Sequence, residues 1–374
     1  MRIIITGGET GGHINLASAL NETIKNKYIN AKIAYVSAKG RISLKKILGD
    51  DLDFYELNID RFERKYFLKN IILLFKIISS IRVSLRIIKK FKPDVVAGVG
   101  GYPEFPMIIA AKLANIPVIL IEPNSVPGLS NLVLKSAAEK ICTTYFHMGK
   151  FFTSKKLLVS GVPIRTSIIR PSLNKKKAIE LFKFKQSQPV IFITGGSSGS
   201  PLINNLILKD IHVLIENNIQ IIWQTGEKDY VKLQNKIKNL AFTGIHIEPF
   251  IYNIEQAYAA SDLIISSTGA ITIAELAFLK KPAIFLPLLE STEGHQLKNA
   301  LVLIEHGLYV FNSKNNKSQN LATKIIKTLE DDYELQTMSK NISKLSKPKA
   351  NEIIFSEIQV LYQKKKNLNH FQNN

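Results

Sequence analysis

The chain has 374 residues, more than one hydrophobic core usually fills, and its 45% hydrophobic and 21% charged residues exclude an intrinsically disordered protein. Fifty Lys and Arg against thirty Asp and Glu leave a formal charge of +20, which points to nucleic acid, acidic lipid or a phosphorylated substrate, or else to a lysine-rich surface alone. A single cysteine, Cys142, excludes an internal disulfide and a multi-thiolate metal site and points to a reducing compartment.

In chain order, the first predicted element is a β-branched strand that runs into Gly7-Gly8-Glu9-Thr10-Gly11-Gly12-His13. The opening MRIIITGG reaches glycine too soon for a signal-peptide core. Glycines at this density let backbone N–H groups approach a ligand without hindrance from Cβ, and the next helix turns its positive end toward them. The loop departs from G-x-G-x-x-G, which argues against dinucleotide binding. At the helix start the dipole disfavours an imidazolium, so His13 reads either as a general base or as a histidine that packs there. A strand is predicted at 32–36. Asp51-Leu52-Asp53 has the form of a metal-holding Asp-x-Asp, but with no glycine turn beside it the triplet reads as solvated surface. No metal and no other cofactor is expected.

Between Arg61 and Lys92, ten Lys and Arg far outnumber the acids, and Phe67, Ile71, Leu74, Phe75 and Ile78 fall among them at helical spacing. This predicts a basic amphipathic helix suited to an anionic membrane surface; the alternative is a core-packed helix with a solvated lysine face. Lys69 and Lys76 interrupt the stretch too soon for a membrane span. Its apolar residues are mostly aliphatic, which argues against nucleic acid as the partner. Strands follow at 95–99, 118–121 and 140–144. Gly100, Gly101 and Tyr102 form a second glycine turn expected beside the first, and Asn124 follows a third strand. Val-Pro and Arg-Pro pairs between Gly161 and Pro171 mark a domain boundary.

Ile-Thr-Gly-Gly at 5–8 recurs at 193–196, so the second half begins as the first does, and two α/β domains of one architecture are predicted. Strands at 220–224, 244–248, 263–266 and 283–286 alternate with helix-length segments, as parallel sheets covered on both faces require. Gly195-Gly196-Ser197-Ser198-Gly199 has the form G-x-S-x-G of a hydrolase nucleophile elbow, with Asp262 and His295 or His306 as candidate triad partners. The first loop carries Glu9 where Ser197 stands, so the repeat favours two anion cradles instead. After Ser267-Thr268-Gly269, a helix offers its first N–H groups to a diphosphate and Glu275 to ribose hydroxyls. Glu293-Gly294-His295-Gln296 offers polar groups to a sugar. Glu352–Tyr362 predicts an amphipathic helix returning to the first domain, with a frayed tail from Lys364.

Taken in order, GGETGGH (7–13), GVGGYP (98–103), GVPIR (161–165), GGSSG (195–199), STGAITIAE (267–275) and HQLKNA (295–300) resemble the motifs of the MurG family of N-acetylglucosaminyltransferases. The resemblance covers nearly the whole chain. It implies two Rossmann-like domains with parallel sheets facing a central cleft, the GT-B architecture: an acceptor and membrane-facing domain at 1–165, a UDP-sugar domain at 166–345, and a returning helix within 346–374. It further implies UDP-N-acetylglucosamine as donor, an undecaprenyl-diphospho-N-acetylmuramoyl-pentapeptide as acceptor, and a peripheral place on the cytoplasmic face of an anionic membrane. Donor contacts are implied at Thr10, Gly11, Gly12, Asn124, Arg165, Ser197, Ser198, the backbone of Ile251, the run Ala270, Ile271, Thr272, Ile273, Ala274 and Glu275, and at His295 and Gln296. The acceptor loop is implied at Gly100, Gly101 and Tyr102, and the base at His13. The sequence departs from the family pattern at His13-Ile14-Asn15-Leu16, where a proline is usual, and at Gly199-Ser200-Pro201, where Gly-Ala is usual. Rival classes are a related diacylglycerol glycosyltransferase, a UDP-sugar epimerase of the same fold, and a non-catalytic nucleotide-sugar binder.

Overall fold

The computed structural model describes residues 1–8, 11–40, 52–61, 67–238, 240, 242–289, 291–311 and 320–372. The chain divides into two compact units, Met1–Arg165 with Lys347–Asn374, and Thr166–Ser346.

The first unit holds β1 (Arg2–Thr6), β2 (Lys32–Ala38), β3 (Asp53–Leu57), β4 (Val95–Gly98), β5 (Val118–Glu122), β6 (Lys140–Thr143) and β7 (Leu157–Val159). All pair in parallel in the order β3-β2-β1-β4-β5-β6-β7. Ile3, Ile4, Ile5, Val95, Val96, Ile119 and Leu120 are wholly buried, as continuous apolar strands must be when both sheet faces are covered. The strand order reverses between β1 and β4, which opens a crevice at their carboxyl ends. The edge strands β3 and β7 were not among the predicted elements: β3 is only half-covered and carries Asp53 and Glu56, and β7 spans three residues. Asp53 opens β3 and is exposed, while Asp51 lies outside the described residues.

The basic apolar stretch forms helix Phe67–Phe91. Leu73, Ile87, Ile88 and Phe91 are buried in the core, whereas Ile72, Leu74, Phe75 and Ile78 stand exposed, Phe75 by 71%. The side chains of Phe67 and Ile71 lie outside the described residues. No described helix is long and apolar enough to cross a membrane.

The last helix, Ala350–Gln372, belongs to the first unit. Asn351 Nδ2 donates to Thr23 Oγ1 (2.7 Å) and to the Ile164 carbonyl (2.8 Å), while its Oδ1 accepts from the Ile164 N–H (3.0 Å). The expected frayed tail is corrected: the helix continues to Gln372, with Lys364 3.9 Å from Glu139 and Lys365 donating to the Asn115 carbonyl at 2.9 Å. Lysines read locally as solvent-seeking here find acceptors on the first unit.

The second unit repeats the plan with β8 (Val190–Thr194), β9 (Gln220–Gln224), β10 (Ile245–Glu248), β11 (Leu263–Ser266) and β12 (Ala283–Phe285), parallel in the order β10-β9-β8-β11-β12. Its reversal lies between β8 and β11. In both units the Ile-Thr-Gly-Gly strand borders the reversal, so the sequence repeat is a repeat of topology.

Candidate functional site: glycine turns at the two strand-order reversals

In the first unit the loop after β1 is tied to both neighbours. The Gly7 N–H donates to the Val36 carbonyl (3.2 Å), the Gly8 N–H to the Gly100 carbonyl (3.0 Å), and the Tyr35 hydroxyl to the Gly7 carbonyl (3.0 Å). This corrects the expectation that the loop glycines as a group cradle an anion: a central strand's loop must bridge β2 and the loop after β4, and those bonds consume the Gly7 and Gly8 amides. Gly11 and Gly12 form the first turn of helix Gly11–Lys27, with His13 third and half-buried. Thr10 lies outside the described residues. A Cβ on Gly100 would come within 2.9 Å of His13 Nε2, so the imidazole rests on the bare backbone of the second glycine turn. The structure thus brings His13 and the Gly100-Gly101-Tyr102 loop together.

Asn124 follows β5 and is oriented by Glu122, whose Oε1 accepts from both the Asn124 N–H and its Nδ2 at 3.0 Å. The other oxygen of Glu122 accepts from the Gly128 N–H (2.9 Å) and Asn131 Nδ2 (2.8 Å). Arg165 is the last residue of this unit before the division.

In the second unit the two helix starts are not equivalent. Ser200 caps helix Pro201–Lys209 by accepting from the Ile203 N–H, and Pro201 has no N–H to offer. The Gly196 and Gly199 amides are likewise spent, on Thr194 Oγ1 and the Gly196 carbonyl. Helix Ala270–Leu279, by contrast, has Gly269 as its N-cap and no side-chain cap, so the N–H groups of Ala270, Ile271 and Thr272 have no intrahelical acceptor. Ile271 and Ile273 are buried in the core, which leaves their backbone as the only part suited to a ligand. Glu275, 2% exposed, accepts from the Tyr258 hydroxyl at 3.0 Å.

Gln224, at the end of β9, gathers the rest. Its Nε2 donates to Thr194 Oγ1 (3.1 Å) and the Gly196 carbonyl (2.9 Å), and its Oε1 accepts from the Ile251 N–H (2.9 Å). Ile251 therefore offers a ligand its carbonyl rather than its amide. Gln296 is also committed: its Oε1 accepts from the Thr268 N–H (3.2 Å) and the Leu288 N–H (3.1 Å). His295 Nε2 lies 3.2 Å from Glu293 Oε2.

The hydrolase triad does not assemble. Asp262 Oδ2 accepts from the Val190 N–H (3.0 Å) at the start of β8, and its other oxygen pairs with Lys175. Ser197 follows the far end of that strand, about 13 Å away at ordinary strand rise. His306 Nδ1 meets its own helix at the Val302 carbonyl, 2.8 Å away.

Residues 3–143 match the glycosyltransferase family 28 N-terminal domain, and residues 190–354 match its C-terminal domain. A Christiangramia forsetii protein named UDP-N-acetylglucosamine--N-acetylmuramyl-(pentapeptide) pyrophosphoryl-undecaprenol N-acetylglucosamine transferase is 33% identical over 365 residues, 98% of this chain and 99% of that relative. A Bacteroides thetaiotaomicron protein of the same name is 35% identical over 360 residues, 96% of this chain and 97% of its own. The chain belongs to the MurG family. It is a glycosyltransferase built from two parallel-sheet α/β domains of the GT-B type. The fold is similar to that of Acinetobacter baumannii MurG, with a TM-score of 0.70 at 23% identity over 96% of this chain and 99% of the other. It is also similar to a UDP-GlcNAc 2-epimerase from Neisseria meningitidis bound to UDP-GlcNAc, with a TM-score of 0.67 at 17% identity over 96% of this chain and 100% of the other.

Sequence reading of this MurG-family chain missed Glu122, Gln224 and Tyr258. Glu122 and Gln224 carry a signal, since each is a long polar side chain ending a buried apolar strand, where only a hydrogen-bonding task offsets desolvation. Tyr258 carries none, because an aromatic on a helix beside a sheet reads as core.

Proposed function

We propose that the protein transfers N-acetylglucosamine from UDP-N-acetylglucosamine to the C4 hydroxyl of undecaprenyl-diphospho-N-acetylmuramoyl-pentapeptide, with inversion and without a metal, at the cytoplasmic face of an anionic membrane. The observation that carries this reading is the exposed apolar face Ile72, Leu74, Phe75 and Ile78 on a lysine-bearing helix. An enzyme whose substrates are all soluble has no use for such a face, whereas one that meets a lipid-linked acceptor does. The names of the relatives supply the donor and acceptor, and this face supports the lipid over the epimerase alternative.

In this reading the acceptor oxygen attacks the anomeric carbon as the bond from that carbon to the β-phosphate oxygen breaks, and His13 takes the hydroxyl proton. The leaving diphosphate gathers at the N–H groups of Ala270, Ile271 and Thr272, with Arg165 as a further positive charge. Glu275 receives the ribose hydroxyls, and Tyr258 holds the carboxylate in place. Tyr258→Phe is therefore expected to raise the donor KM about three- to tenfold with kcat little changed, as steady-state kinetics would read, since a typical net hydrogen bond is worth roughly 0.5–1.5 kcal/mol.

The test is UDP release from UDP-N-acetylglucosamine in excess EDTA, with and without a lipid-diphosphate muropeptide or diacylglycerol in vesicles. Release is expected only with the muropeptide lipid, and undiminished by chelation. Release that requires a divalent ion, or conversion of the donor without any acceptor, would overturn the proposal.

A further inference from the structure

Glu104 is wholly buried, yet it is the first residue of helix Glu104–Leu113, a position where acids ordinarily face water. Its Oε2 accepts from the Gly100 N–H at 2.7 Å, and its Oε1 is hydrogen-bonded to the Ser130 hydroxyl. That hydroxyl in turn lies 3.4 Å from the Gly101 carbonyl. The chain makes room for the carboxyl group: a Cβ on Gly98 would come within 2.7 Å of Oε2. Gly100 is thus held from one side by Glu104 and supports His13 from the other, with no side chain of its own between them.

Burial pushes the Glu104 carboxyl up to about 8, against the bonds from Ser130 and Gly100 that pull it down. Ser130 donates to Oε1, or to the Gly101 carbonyl when Oε1 carries the carboxyl proton that burial favours. Oε2 still accepts from Gly100. A buried carboxyl group costs stability that an apolar residue would not, so its place here is explained by what it holds.

We infer that Glu104, acting through Ser130 and the Gly100-Gly101 backbone, is a positioning residue that sets where the His13 imidazole rests. The inference rests on the proposed role of His13 in transfer. Glutamine mimics the neutral carboxyl group, its oxygen accepting from Gly100 and its NH2 donating to Ser130. Alanine removes both bonds.

The experiment compares Glu104→Gln, Glu104→Ala and Ser130→Ala in the full chain by steady-state kinetics, by hydrogen exchange at the Gly100 amide and by the NMR shifts of the His13 ring. Glu104→Ala is expected to lower kcat about 10- to 100-fold with the donor KM within about twofold, since a small misplacement of a reacting group costs that much. It should also speed Gly100 exchange and move the His13 resonances. Glu104→Gln should recover most of the lost rate. Ser130→Ala should show a smaller loss in the same direction, and decides the matter if Glu104→Ala does not fold. A glutamine variant as impaired as alanine, or exchange at Gly100 unchanged in every folded variant, overturns the inference while leaving the proposed function standing. Faster exchange and shifted His13 resonances in a protein whose wild type transfers no sugar would support the positioning and sink the proposed function.

Discussion

His13→Ala is expected to lower turnover by two to four orders of magnitude while leaving the affinity for UDP within about twofold. A positioned general base contributes roughly 10²- to 10⁴-fold to a reaction that must strip a proton from an alcohol. In the proposed function the diphosphate-binding amides and Glu275 lie in the second unit, and His13 sits in the first, third in its helix and resting on Gly100. Removing the imidazole therefore leaves those contacts untouched. Titration calorimetry with UDP and acceptor-dependent UDP release separate the two quantities. A loss of UDP affinity that matches the loss of rate would place His13 among the donor contacts instead, and a normal rate would end its role as base.

Gly199→Ala is expected to destabilise the second unit by about 3 kcal/mol or more and to abolish UDP binding. Gly199 has φ +73, where an L side chain already costs about 1 kcal/mol, and its Cβ would overlap the Thr225 carbonyl oxygen and lie 2.7 Å from the carbonyl carbon and 2.8 Å from the Gly226 Cα. These are backbone atoms, so no side chain can swing aside. Nor is the Thr225 carbonyl free to retreat, because Asn204 Nδ2 donates to it at 2.9 Å while Asn204 Oδ1 accepts from the buried Trp223 indole at 3.0 Å. Gly294→Ala is the control. Its φ is +66, but nothing lies within 4 Å of its Cβ position, so about 1 kcal/mol is expected. Thermal unfolding of both variants measures the difference; equal losses would show that backbone conformation alone, and not close approach, governs Gly199.

Legibility in the sequence followed the range of the interaction involved. Val95–Gly98, Gln220–Gln224 and Leu263–Ser266 were recognisable because a strand covered on both faces must be apolar at nearly every position. The glycine turns were recognisable because tight turns and helix starts need residues without a Cβ. Asp262 shows the opposite case. Composition offered it as a triad acid, but it sits at the amino end of β11, tied to Val190, while Ser197 follows the carboxyl end of β8. Gln224 and Gln296 carry the same lesson, since each spends its amide on segments many residues away.

What the amino-acid order determined by itself was the set of strands and turns, their duplication, and the family, because these depend on short apolar runs and on glycines a few residues apart. The tertiary structure alone decided which amides are already spent, which helix start is uncapped, which face of Phe67–Phe91 remains exposed, and that Glu104 reaches Gly100 beside His13. Those outcomes depend on partners brought together by strand order, and a buried polar group takes whichever partner the topology places within hydrogen-bond reach.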